Sequence, residues 1–260
     1  MSKPLDIKEP LVTAMPADSS SSSDSEEGEF SPLALAKNND FTPLPMYKAA
    51  GTTETDFDGL LPKDKALRLH EDLTNGCGGQ LWPAGMTLAR YMLRYHEKSL
   101  NGKRILELGA GGGLVGLAVA RGCDLGENHP PLYITDQMEM FSLMRHNIAL
   151  NQLEGKVKAI NRFKPTRRDP GRRLRVLRAG VPAAADDAIR PTIAASRAVV
   201  YFCFKKRRRA DMQFLKQARK RYCVAEVEDE EKPVWSRQGL FMFAITAKGK
   251  GNANGDGKMQ

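Results

Sequence analysis

The 260-residue sequence lacks the residues that cross-link or ligate in clusters. Its four cysteines (Cys77, Cys123, Cys203 and Cys223) are widely spaced with no C-x-x-C pair, and its four histidines show no metal-ligand spacing. A disulfide scaffold and a metal centre are therefore not expected, and the thiols read as free in a reducing compartment. No apolar run is long enough to span a membrane, and no signal-peptide pattern is present. These absences predict a soluble, cytoplasmic protein without a membrane partner.

An excess of charge is also lacking over most of the chain. The formal net charge is +9, yet residues 162–190 hold nine basic side chains against three acidic ones and so carry +6 of it. The remainder is close to balanced, which says little about partners. A nucleic-acid partner is accordingly not expected. The chain is long enough for one sizeable core.

Residues 1–40 contain Ser19 to Ser23, an acidic run from Asp24 to Glu29 and few large apolar groups, the composition of a disordered tail. The Gly-rich, polar stretch 248–260 reads the same way. Residues 41–247 are left as the folded domain.

Within it, Arg104 to Gly116 is the organising stretch. Ile105, Leu106 and Leu108 have the look of a buried parallel strand, which breaks at Gly109 and is followed by an apolar helix from Leu114. Glycines at 109, 111 and 113 let the backbone turn sharply and let a ligand lie against exposed N–H groups. Gly111, Gly113 and Gly116 also satisfy the loose dinucleotide pattern G-x-G-x-x-G. Sign of charge favours a different ligand: Glu107 beside the turn suits an ammonium and a sulfonium and would repel a pyrophosphate. A second strand, Pro131 to Asp136, ends in a carboxylate where Rossmann-like folds present an acid to ribose hydroxyls. An acceptor-only group can take both hydroxyls, and Asp136 could equally cap the helix that follows.

The pattern acidic-x-Gly-x-Gly-x-Gly, Glu107 to Gly113, resembles motif I of the seven-stranded S-adenosylmethionine-dependent methyltransferases. Trp82-Pro83-Ala84, about twenty residues earlier, sharpens this to the protein-lysine methyltransferases that modify elongation factors and chaperones, methyltransferase family 16. The resemblance covers roughly 65–161 and 198–247. It implies an α/β fold, a Rossmann-like seven-stranded sheet, mostly parallel with an antiparallel last strand. It implies S-adenosylmethionine as cofactor, held by Trp82, Glu107, Gly109, Ala110, Gly111, Gly113 and Asp136, and a protein substrate, translation elongation factor 1 alpha foremost. No catalytic residue is assigned, and no metal. A nicotinamide dehydrogenase would need a hydride-transfer site that the sequence does not present.

Flanking elements follow from periodicity. Ala66 to Leu73 alternates as a strand, and a helix starts near Pro83. Met140, Met144 and Ile148 mark a buried helix face, and Val157 to Ile160 a third strand. Val199 to Phe204 reads as a buried strand, Phe214, Leu215 and Ala218 as a helix, and Tyr222–Ala225 and Leu240–Thr246 as two last strands.

From Arg162 to about Ala195 neither helical nor strand periodicity is visible, although the sheet needs its fourth strand there. The resembled family carries Asp-Val-Ile-Leu-Ala-[Ala/Ser]-[Asp/Glu]-x-Val-Tyr at this place. Codons for Arg167 to Ala188 can be chosen so that the frame shifted by one base reads D-V-I-L-A-A-D-C-V-Y-F-E-P-A-F-P. The fourth-strand region thus reads as frameshifted, with the frame returning before Val199. Two alternatives stand beside this: a basic insertion binding RNA through phosphates, and a catalytically dead, methyltransferase-like binding protein.

Overall fold

A computed structural model describes residues 49–161, 174–179, 198–207 and 209–248. Strands β1 (Gly51–Thr55) and β2 (Leu67–Glu71) pair as an antiparallel ribbon. Helix α1 (Pro83–His96), β3 (Arg104–Leu108), α2 (Leu114–Gly122), β4 (Leu132–Asp136), α3 (Met138–Leu150) and β5 (Val157–Asn161) follow. The chain continues through β6 (Leu174–Ala179), β7 (Val199–Lys205), α4 (Arg209–Arg221), β8 (Tyr222–Glu226), α5 (Lys232–Arg237) and β9 (Leu240–Ala247).

Seven strands form one sheet in the order β5-β4-β3-β6-β7-β9-β8. All neighbours are parallel except at β9, which runs against both β7 and β8. This is the expected sheet with its antiparallel last strand. The order turns back between β3 and β6, and in such sheets the crevice beyond the carboxyl ends of the strands at that switch point is where ligands bind.

Side chains alternate across the central strands and feed two apolar layers. Ile105, Ile134 and Leu177 pack with Leu88 and Met92 of α1 and Leu117 of α2, whereas Leu106, Leu108, Val176, Val200 and Phe202 pack with Leu215 of α4. Met140, Met144 and Ile148 are buried along α3, as their spacing predicts.

The reading of 162–195 as lacking strand periodicity is corrected at six residues. Leu174–Ala179 is the fourth strand, its partners running from Arg104 to Glu107 on β3 and from Val199 to Cys203 on β7. The physical reason is position. The slot between β3 and β7 is flanked by backbone groups that need partners, and a segment whose Val176 and Leu177 can each fill one apolar layer satisfies both demands. Residues 1–48, 162–173, 180–197 and 249–260 lie outside the described residues, and with them most of the frameshift window Arg167 to Ala188.

The β1–β2 ribbon is attached to α3 by side-chain amides. Asn147 Oδ1 accepts the His70 N–H at 2.8 Å, and its Nδ2 donates to His70 O at 3.1 Å and to Gly112 O at 2.9 Å. One turn on, Asn151 Oδ1 accepts the Arg68 N–H at 2.9 Å and its Nδ2 donates to Arg68 O at 2.6 Å. The two amides therefore present to β2 the donor and acceptor pattern of a neighbouring strand. Asn147 is fully buried, so Asn147→Leu leaves three backbone groups without partners. A loss of about 3 kcal/mol or more is expected, read from urea unfolding, at about 1 kcal/mol for each lost partner.

Candidate functional site

The turn after β3 is built as the glycine spacing requires. Gly109, Gly111 and Gly113 have φ values of 66°, 56° and 91°, in the left-handed region that side chains disfavour. Gly113 is the N-cap residue of α2. A Cβ placed on Gly109 would touch Arg178 Nη1 at 3.7 Å, an ordinary contact distance, and Gly109 itself is exposed. A Cβ on Gly111 would collide with the carbonyl oxygen of Gly78. Ala110 is buried and ties the turn to β4 through its N–H, which donates to Thr135 O at 3.0 Å.

Asp136 ends β4 beside this turn. Its Oδ2 accepts the Gly111 N–H at 2.6 Å and its Oδ1 accepts the Gln137 N–H at 2.7 Å. The side chain thus links the glycine turn to the entry of α3. It does not cap α3, whose N-cap is Gln137 without a side-chain bond.

Glu107 is placed differently from the other candidates, for it is 2 % exposed and lies under α2. Its Oε2 accepts the Gly116 N–H at 2.7 Å, and the Val115 N–H also donates to it. The carboxylate therefore occupies the α2 N-terminus from beneath, where the helix dipole favours an anion. Burial pushes its pKa up to about 8 against the pull of those two N–H groups, and the charge of Asp136 adds to the rise. Between the ordinary carboxylate value and about 8, the folded chain holds a proton that the unfolded chain has lost. This stabilisation is complete below about pH 4 and disappears as the pH rises through 8. Glu107→Gln is expected to flatten the decline of melting temperature between pH 5 and 8, a change of a few kcal/mol over the window.

Trp82 is the N-cap residue of α1, half-buried, with its Nε1–H donating to Cys77 O at 3.0 Å. The Cys77–Gly79 turn it holds is the one whose Gly78 carbonyl abuts Gly111, so Trp82 reaches the glycine turn through one intermediate. The Arg207 guanidinium lies 4.6 Å from the centre of the Trp82 ring, in a cation–π contact. All seven sequence-predicted positions thus fall around the carboxyl ends of β3 and β4 and the start of α1. Among the described residues, no group of three or more His, Cys, Asp or Glu side chains could hold a metal ion. No helix among them is long and apolar enough to cross a membrane.

Comparison with known proteins bears on the same residues. A family profile described as lysine methyltransferase matches residues 62–162. Protein-lysine N-methyltransferase EFM6 of Saccharomyces cerevisiae is 30% identical over 213 residues, covering 70% of this chain and 85% of that protein. The chain belongs to the lysine methyltransferase family.

A second protein-lysine relative, METTL21A of Danio rerio, is 35% identical over 95 residues, a match that spans 36% of this chain and 40% of the relative. A Streptococcus mutans structure, described as a sam-dependent methyltransferase, superposes with a TM-score of 0.51 at 11% identity, covering 76% of this chain and 56% of that one. It supports the fold. As a lysine methyltransferase the chain departs from its family at β6, where the expected acidic residue and tyrosine are replaced by sequence that includes Arg178. Arg178 stands beside the glycine turn and was missed in the sequence because it sits in the arginine-rich stretch. The apolar pair Val176-Leu177 just before it was the available signal.

Proposed function

We propose that this lysine methyltransferase uses S-adenosylmethionine to methylate a lysine of translation elongation factor 1 alpha in the cytoplasm, with residues 41–247 as its working domain. The observation that carries the cofactor reading is the exposed Gly109 in a turn of left-handed glycines, with the Asp136 carboxylate beside it. The residues present fit the group. Asp136 uses one acceptor site on each oxygen for Gly111 and Gln137 and keeps lone pairs for two ribose hydroxyls. The Gly109–Gly113 backbone offers close approach, and Trp82 walls the Cys77–Gly79 side. Glu107 acts from below by fixing the start of α2.

S-adenosylmethionine, when bound, supplies the methyl group on its sulfonium. The chain's own work is positioning, which brings a neutral amine in line with that methyl and keeps water out. The elongation-factor target rests on the Trp82-Pro83-Ala84 resemblance. The test is transfer of labelled methyl to purified translation elongation factor 1 alpha, with lysine-to-arginine variants locating the site. Isothermal titration with S-adenosylmethionine tests the cofactor separately. Binding without transfer to any protein in a cell extract would favour the second reading, a binding protein that no longer catalyses. That reading is favoured by Arg178, a cation at the strand end where the resembled family has small and acidic residues.

A further inference from the structure

Arg178 is 8 % exposed, and its Nε is buried without a hydrogen-bond partner among the described residues. Its Nη1 lies over Gly109, 3.7 Å from where a Cβ would stand. Burial pulls its pKa below the usual arginine value, and the nearby Asp136 charge works against that pull. An arginine remains charged in proteins whatever its surroundings, so β6 carries a desolvated cation to the switch point of the sheet. Such a group, with five donors in a fixed fork, matches a planar anion that it can hold through two parallel bonds. A carboxylate fits this description. A phosphate dianion would suffer more from the Asp136 carboxylate across the turn.

We infer that Arg178 is the carboxylate-binding group of the cofactor crevice, taking the α-carboxylate at the amino-acid end of S-adenosylmethionine while Asp136 serves the ribose. The inference rests on the proposed use of that cofactor. Position supports the division of labour. Asp136 ends β4, Arg178 is the next-to-last residue of β6, and β3 with its glycine turn lies between them. A ligand spanning the turn would meet an acceptor at one end and a donor fork at the other. The guanidinium would also oppose the sulfonium, so the neutral product S-adenosylhomocysteine is the better probe.

The experiment is isothermal titration of the full chain with S-adenosylhomocysteine, its carboxamide and 5′-methylthioadenosine, which has no amino-acid end. In the unaltered chain S-adenosylhomocysteine should bind at least about 30-fold more tightly than the other two, the loss typical when one member of a buried ion pair is removed. In Arg178→Met the gap should shrink to less than about threefold while 5′-methylthioadenosine binds as before. Arg178→Lys should keep part of it, which guards against a methionine variant that fails to fold. Equal binding of all three ligands by the unaltered chain would overturn the role of Arg178 alone. So would a gap that survives in Arg178→Met, or an equal loss for all three ligands there. Binding of none of them by the unaltered chain would overturn the cofactor reading, and this inference with it.

Discussion

Gly116→Val is expected to lower the melting temperature by about 10 °C or to prevent folding. A Cβ at this position would lie 2.5 Å from Ile134 Cγ2, 2.8 Å from Glu107 Oε2 and 2.9 Å from Leu132 Cδ2, all closer than a real side chain comes. Two of these neighbours belong to β4 and are fully buried, and the third is the carboxylate that holds the α2 N-terminus. None can retreat, so α2 would have to lift off β3 and β4. Overpacking of this kind costs about 3 kcal/mol, more when a buried hydrogen-bonded group is displaced with it, and each kcal/mol is worth about 2–4 °C in a domain of this size. Gly116→Ala should show part of the effect. Thermal denaturation followed by circular dichroism decides: a shift below about 2 °C for valine would mean that the helix does not need its close approach.

Asp136→Ala is expected to weaken S-adenosylhomocysteine binding by about 100-fold or more. The substitution removes the proposed acceptor for two ribose hydroxyls and also frees the Gly111 and Gln137 N–H groups that set the turn. Bonds to a charged acceptor contribute about 1.5–3 kcal/mol each, and losing two of them reaches that range. Asp136→Asn separates the two effects, since an amide oxygen can keep the Gly111 bond but offers fewer acceptor sites. A loss of less than threefold in both variants would remove Asp136 from the binding site. Since Asp136 is only half-buried, little change in melting temperature is expected for asparagine.

The parts of this protein that were legible in its sequence are those where local pattern and tertiary demand coincide. The β3 run, its glycines and the Leu114–Ala120 stretch each prescribe one backbone state, and the fold uses all three. The methionine stripe of α3 is equally direct. β6 was illegible because Arg175 and Arg178 break its apolar run, and only the neighbouring strands make a strand of it. β1 was missed for the opposite reason: its threonines are mostly exposed, and nothing but the ribbon partner fixes them. The short helix α5, which buries Trp235, has too few residues for a period to show. In the candidate site, residue types singled out Asp136 and the glycines, which the fold brings to one turn. The inward turn of Glu107 depends on where α2 lies, which sequence spacing does not report.

The amides of Asn147 and Asn151 grip β2 by its main chain, and a main chain is the same whatever side chains it carries. As far as this grip is concerned, the side chains of Arg68 and His70 are therefore free to change, provided the strand stays extended, although His70 also meets Thr52 and His146. The two asparagines are not, and Asn147 is doubly fixed because it also holds Gly112 O. Selection on an outer ribbon is in this way written into a helix some eighty residues further along the chain.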